Sequence, residues 1–340
     1  MKPLTALQAP WGMDFINETE LLVTEKAGRL LRFELGSGAR SEIAGLPDST
    51  AVGQGGLMDV LAYRDGKGLW VYLSYTHSSN GKHTTRVARG RLVDDALRDV
   101  EVLFTAQPYY KAGRHFGSRL VIADGYLFIT VGDRGNRDYA QDLSRHNGKV
   151  IRLYPDGRVP RDNPFYGRDG VMAEIWSYGH RNPQGLAQHP DGSLWVSEHG
   201  PQGGDELNRL GAGVNFGWPV ITYGEEYGGG EIGEGTAKAG MAQPEKYYVP
   251  SIATAGIAFN TGARYPGWGP SLFVSALKFT HLNRVALTAE GLGTESRHFG
   301  DAGLRFRDVQ TGPDGFLYVL AGEGLYRVEP DSARAAQNGQ

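Results

Sequence analysis

Two short stretches concentrate the chemistry-bearing residues of this chain. The first is Gly179-His180-Arg181-Asn182-Pro183-Gln184-Gly185, and the second, one short strand later, is Glu198-His199-Gly200-Pro201-Gln202-Gly203-Gly204-Asp205-Glu206. Together they set a guanidinium, two amides, a Gly-Pro turn and carboxylates on one strand and its flanking loops. A guanidinium presents planar, permanently protonated donors that match carboxylates two at a time, and Asn and Gln both donate and accept at one ligand. The grouping suits a flat polyanionic ligand held with a divalent cation. Taken alone, Arg-Asn-Pro-Gln also reads as a polar turn between strands, since Asn-Pro favours turns.

Further candidates lie outside these stretches. His115, in Gly113-Arg114-His115-Phe116-Gly117, lies just before a predicted strand whose far end runs into Gly132-Asp133-Arg134-Gly135. Adjacent strands would bring the Asp133 carboxylate to the imidazole, fix its tautomer and leave the other nitrogen free to take a proton; an ordinary surface or core histidine is the competing reading. Arg305 and Arg307 alternate with Phe306, so on a strand both guanidiniums face one way and want an anion, unless Asp301 and Asp308 pair with them. Lys278 follows an apolar strand and also reads as a solvated surface residue. Gly200-Pro201 with Asp205 and Glu206 could offer carbonyl and carboxylate oxygens to Ca²⁺, without the regular spacing of an EF-hand loop. The chain has no Gly-x-Ser-x-Gly elbow, Walker loop or HExxH helix.

The elements that must position these groups read as strands. A turn opening into a short apolar and aromatic strand recurs at Glu20-Leu21-Leu22-Val23-Thr24, Gly68-Leu69-Trp70-Val71-Tyr72, Asp124-Gly125-Tyr126-Leu127-Phe128, Asp191-Gly192-Ser193-Leu194-Trp195 and Asp314-Gly315-Phe316-Leu317-Tyr318, with a longer gap before the last. Ala27-Gly28-Arg29-Leu30-Leu31, Gly148-Lys149-Val150-Ile151 and Gly324-Leu325-Tyr326 read as the hairpin partners that follow. A repeat of about 57 residues fits the chain roughly six times. The predicted fold is therefore all-β: a six-bladed β-propeller of four-stranded antiparallel blades over residues 1–330, in preference to a pair of β-sandwiches. Helix is predicted to be nearly absent, with weak possibilities around 140–147. Residues 223–243 read as a long loop and 331–340 as a disordered tail.

Composition narrows the functional classes. Gly and Pro make up roughly a fifth of the 340 residues, and aromatic residues 11%, which fits many short strands around a large core. A formal charge of −3 leaves no basic field for nucleic acid. No apolar run is long enough to cross a bilayer and residues 1–20 have no signal-peptide pattern, so a soluble chain is expected. The absence of cysteine excludes disulfides and thiolate chemistry, leaving oxygen ligands or His for any metal.

Taken together, the motifs resemble the soluble pyrroloquinoline quinone (PQQ) dependent glucose and aldose sugar dehydrogenases. The resemblance runs from Pro10-Trp11-Gly12-Met13 and Gly53-Gln54-Gly55-Gly56-Leu57, through His115, Gly132-Asp133 and Asp162-Asn163-Pro164-Phe165. It continues through the two stretches above to Asn215-Phe216-Gly217-Trp218-Pro219 and Arg305-Phe306-Arg307-Asp308-Val309. It implies a propeller with the quinone over the central channel, His115 as general base and Asp133 as its orienting carboxylate. It further implies Gln54, Arg181, Asn182, Gln184, Lys278, Arg305 and Arg307 as cofactor-holding residues. The carbonyls of Gly200 and Pro201 would ligate a calcium that polarises the quinone, and Glu206 with the Phe216 carbonyl a further, structural calcium. The family often has Tyr where this chain has Phe216, a change that a main-chain ligand would survive.

The implied reaction is oxidation of an aldose at its anomeric hydroxyl to the lactone, with electrons passed to an external acceptor and a periplasmic or secreted location. The short 223–243 region is unlike the dimer-forming insertions of the glucose enzyme, which favours a monomer. Two other readings stand beside this one: a calcium-dependent lactonase-like hydrolase, which has no use for the Lys278, Arg305 and Arg307 shell, and a non-catalytic binding propeller, which leaves His115 and Asp133 unexplained.

Overall fold

Six antiparallel four-stranded sheets follow one another along the chain, each in simple up-and-down order. The computed structural model describes residues 1–330, so the tail expected at 331–340 lies outside the described residues. The innermost strands are Pro10–Phe15, Leu57–Asp65, Leu120–Ala123, Pro183–Gln188, Thr254–Asn260 and Phe306–Thr311, one for each of blades 1 to 6. Blade 6 takes its outermost strand from the other end of the chain: Lys2–Ala6 pairs antiparallel with Gly324–Val328, Lys2 opposite Arg327. That pairing closes the ring and uses up the edge which blade 6 would otherwise leave open.

The recurrent phrase marks the second strand of its blade, and the register explains its composition. Along Tyr126–Val131, Leu127, Ile129 and Val131 pack with Tyr72 and Val87 of blade 2, whereas Phe128 packs with Leu186 and Val196 of blade 4. Alternate side chains thus serve two seams, so the strand is apolar on both faces and reads as a continuous apolar run. Six such seams, one between each pair of neighbouring blades, make up most of the core. The sixth second strand, Ser271–Ala276, fills the long gap in the repeat; it follows Gly269-Pro270 where four of the other five have Gly68, Gly125, Gly192 or Gly315 in the turn, and the phrase is not visible there. Helix is limited, among the described residues, to two 3₁₀ turns, Arg137–Ala140 and Gly300–Ala302, the former at the edge of the predicted helical stretch. The predicted loop at 223–243 belongs to a longer excursion between Asp205–Arg209 and Lys246–Tyr248.

Candidate active site

Where the innermost strands begin, their ladders are irregular. In five of the six, the register with the second strand slips within the first few residues: Pro10/Met13, Leu57/Val60, Pro183/Gly185, Thr254/Ile257 and Phe306/Asp308. A bulge turns the extra residue out of the ladder and re-aims its side chain. Gln184 and Arg307 are such residues, and both line a cavity of about 500 Å³ on this upper face of the ring. They also touch each other across the axis: Arg307 Nη1 donates to Gln184 Oε1 at 3.0 Å.

Gln54, Asn182, Arg305, Trp11, Lys26 and His199 contribute to the same cavity. Neither Arg305 nor Arg307 forms an ion pair within the described residues; the Asp308 carboxylate that competed for them in sequence instead binds Arg119 at 2.9 Å. Burial, with Arg119 and Arg305 nearby, lowers the Arg307 pKa to about 10, a cost that an anion in the cavity would relieve. His199 was not foreseen. Burial holds its imidazole neutral, with a pKa pushed down to about 4, and its buried Nε2 has no hydrogen-bond partner among the described residues. Lys278 is exposed and does not line the cavity; its neighbour Leu277 does. Lys26, whose amine donates to the Gly53 carbonyl, supplies a rim cation instead.

His115 stands beside this cavity, its backbone N–H donating to Gln54 Oε1 at 2.8 Å. Its Nδ1 lies 2.7 Å from Asp133 Oδ1. The other Asp133 oxygen accepts from the Trp218 indole at 2.9 Å, and the Gly135 N–H donates to Oδ1 at 2.6 Å. Burial lowers the His115 pKa, only partly offset by Asp133. For Asp133, burial acts to raise the pKa, but the bond and charge of His115, with Arg181 and the Gly135 N–H, together outweigh it and the carboxyl stays below its ordinary range. The pair therefore rests as neutral imidazole on carboxylate, with Nδ1–H directed at Asp133 and Nε2 free to accept a proton. Trp218 lies 85 residues from Asp133, and its partnership with that carboxylate could not be read from spacing.

Arg181 faces a second, smaller space. Its Nη1 donates to the His199 carbonyl at 3.3 Å, its Cζ lies 5.3 Å from the Trp218 ring centroid, and its buried Nε is unpartnered. With Glu198, Gly200, Glu206 and Phe216 it lines a void of about 10 Å³. Burial, reinforced by Glu198, pushes the Glu206 pKa up to about 8. His180 and Asn208 hold Glu198 at 2.9 and 3.1 Å, and Asn208 also donates to Glu206 at 3.0 Å. Within the described residues, no hydrogen bond ends on the carbonyls of Gly200, Pro201 or Phe216. Nor do three or more His, Asp or Glu side chains gather as a metal cage there. Free carbonyls plus a carboxylate strained by its neighbour are the donor set of a hard cation such as Ca²⁺, so these residues fit the implied ion. The cavity likewise fits the implied quinone: its volume lies within the roughly 300–1,000 Å³ usual for small-molecule sites, and its cations and amides match a planar tricarboxylate.

Comparison with known proteins places the whole chain. The glucose/sorbosone dehydrogenase family model matches residues 7–327. The chain is 42% identical over 336 residues to aldose sugar dehydrogenase YliI of Escherichia coli, covering 95% of this chain and 91% of that protein. The solved structure of the soluble aldose sugar dehydrogenase of Escherichia coli in its apo form superposes with a TM-score of 0.93 at 41% identity, over 97% of this chain and 99% of that one. The PQQ-bound form of an aldose sugar dehydrogenase from Streptomyces coelicolor superposes with a TM-score of 0.79 at 26% identity, over 94% and 90% of the two chains. With the family model spanning nearly every strand from blade 1 to the closing blade, the chain belongs to the glucose/sorbosone dehydrogenase family.

Proposed function

We propose that this protein oxidises aldose sugars at the anomeric hydroxyl to the lactone, using PQQ and Ca²⁺. The observation that carries the reading is a neutral, carboxylate-oriented histidine tied through its main chain to Gln54, which lines a cavity that concentrates guanidiniums without ion pairs, amides and the His199 side chain. When bound, PQQ would supply the hydride acceptor and Ca²⁺ the Lewis acid at its reactive carbonyl.

The remaining work falls to the chain's own residues. Arg305, Arg307 and Lys26 offer positive charge to the cofactor's carboxylates, while Gln54, Asn182, Gln184 and His199 offer donors and acceptors around it. The carbonyls of Gly200 and Pro201 would hold the ion beside it, with Glu206 and the Phe216 carbonyl serving a further ion next to Arg181. His115 Nε2 takes the proton of the anomeric hydroxyl, and the imidazolium so formed is stabilised through Nδ1 by Asp133, itself held by Trp218. A hydrolase acting on neutral lactones would have no use for this much positive charge above the channel.

We further infer a monomer that hands its electrons to an external acceptor and works in the periplasm or outside the cell. No helix among the described residues is long and apolar enough to cross a membrane. The test is dye reduction by purified apoprotein with glucose or another aldose, with and without PQQ and Ca²⁺. Activity that needs both additions is the expected result. Absence of turnover together with absence of PQQ binding by absorbance would overturn the reading.

A further inference from the structure

The backbone around His115 does not hold its shape by itself. His115, Gly117 and Ser118 take φ of 53°, 64° and 86°, and left-handed backbone is unfavourable for bulky side chains unless the surroundings impose it. Gln54 contributes by accepting from His115 N and donating its own N–H to the Gly113 carbonyl at 2.7 Å. The Thr85 hydroxyl donates to the Phe116 carbonyl at 2.8 Å. The third and most extensive contact is Arg134. Its two terminal nitrogens donate to the carbonyls of Arg114 and Ala112, and its Cζ lies 3.3 Å from the Phe116 ring centroid.

Arg134 is fully buried, and no carboxylate lies within ion-pair distance of it in the described residues. Burial pushes its pKa down to about 9. A buried cation without a counter-ion is destabilising, and an apolar side chain would fill the space at lower cost. What an apolar side chain cannot do is present two coplanar N–H donors to carbonyls two residues apart in the chain that carries His115. The next residue back, Asp133, holds the imidazole ring itself. One turn, Gly132-Asp133-Arg134-Gly135, therefore grips the base twice, by its ring and by its main chain. The two segments approach so closely that a Cβ at Gly135 would lie 2.4 Å from Arg114 Nε.

We propose that Arg134 is a positioning residue for His115, holding the 112–116 main chain so that the imidazole meets Asp133 on one side and the cavity on the other. This rests on the reading of His115 as the base. The test is Arg134→Lys, which keeps the charge but cannot bridge both carbonyls in one plane. In the apoprotein, the downfield NMR resonance of the His115 Nδ1–H bonded to Asp133 should be present in the wild type and be lost or broadened in the variant. The imidazole pKa should rise as the ring gains water. After loading with PQQ and Ca²⁺, kcat should fall by about 10- to 100-fold while KM and PQQ affinity stay within about 3-fold, and the acid limb of the pH profile should move up with the imidazole.

A lowered melting temperature with the wild-type resonance, pH profile and kcat would overturn the proposal, because a packing role alone predicts that result. Should Arg134→Lys fail to fold, Phe116→Leu removes the ring under the guanidinium and should reproduce the pattern at about 3- to 10-fold in kcat; an unchanged His115 in that variant overturns the proposal equally. Failure of the functional reading would look different: wild-type protein that neither binds PQQ nor turns over an aldose, with the comparison of imidazole resonances in the apoproteins still legible.

Discussion

The two ends of the central channel are built from the same six strands, yet they treat charge differently. At the upper end, Arg305, Arg307 and Lys26 line a cavity of about 500 Å³ with no ion pair to Arg305 or Arg307 among the described residues. At the lower end, Asp14, Asp59 and Asp308 line a space of about 250 Å³ around a single cation, Arg119. Arg119 reaches Asp59 at 3.0 Å and Asp308 at 2.9 Å, donates to the carbonyls of Gln184 and Arg307 at 2.7 and 3.1 Å, and lies 4.4 Å from the Trp11 ring centroid. Room for its carboxylates comes from glycines: a Cβ at Gly12 would fall 2.4 Å from Asp59 Oδ1, and one at Gly256 would fall 2.0 Å from Asp308 Oδ1. Residues of all six innermost strands line this space, in which Arg119 is paired within the protein, while the cations above it keep their donors for a ligand. Charge satisfied within the protein contributes to the fold, and charge left unsatisfied is available for binding.

Breaking each end should separate these roles. The largest effect on the fold is expected for Arg119→Met, which strands two buried carboxylates and should cost about 3–5 kcal/mol in urea unfolding. Arg305→Met, at an exposed site without an ion pair, should stay within about 0.5 kcal/mol of wild type. Equal losses for the two would erase the contrast. Turnover should respond to His115→Ala by about 10²-fold or more with PQQ affinity little changed, and comparable turnover in that variant would remove His115 from its role. Replacing Arg305 or Arg307, which line the cavity, by Ala should instead weaken PQQ binding by about 10- to 100-fold, the worth of one charge-assisted contact.

Smaller effects depend on pH. Burial pushes the Asp14 pKa up to about 7, against its bonds from Ala62 and Phe15, and burial also raises Asp59 and Asp308. A carboxyl with a raised folded-state pKa contributes stability that is complete below the unfolded value near 4 and is lost as pH rises through about 7. Asp14→Asn should therefore gain on wild type between pH 5 and pH 8, by on the order of 2 kcal/mol. An identical pH slope in both proteins would show that Asp14 does not titrate there. At the other end, Glu206 has its pKa pushed up to about 8 and must lose its proton to hold a cation. Added Ca²⁺ should raise Tm by about 2 °C more at pH 8.5 than at pH 6.5, a difference that Glu206→Gln should abolish.

Much of the architecture could be read along the chain because it rests on local rules. Second strands are apolar on both faces wherever they occur, so five of six declare themselves, and Arg181-Asn182-Pro183-Gln184 stands out because neighbours in sequence remain neighbours at the start of one strand. The alternation of Arg305 with Arg307 likewise brings both to the cavity, although a bulge at Arg307 intervenes. At Lys278 only the place after an apolar strand was visible; the side chain is exposed outside the cavity lining, and Lys26, from another blade, lines the cavity.

Repeat, strand order and the identity of the main polar motifs were thus determined by the sequence itself, through the period-two pattern and the chemistry of single residues. Only the tertiary structure decided that Trp218 holds Asp133, that His199 is left with an unpartnered nitrogen among the described residues, that Glu198 crowds Glu206, and that Arg119 ties five of the six blades together. The physical reason is common to all four. Each depends on a distance between loops or strands far apart in the chain, and such distances are set by ring closure and by the packing of the seams between blades, on which no local pattern reports.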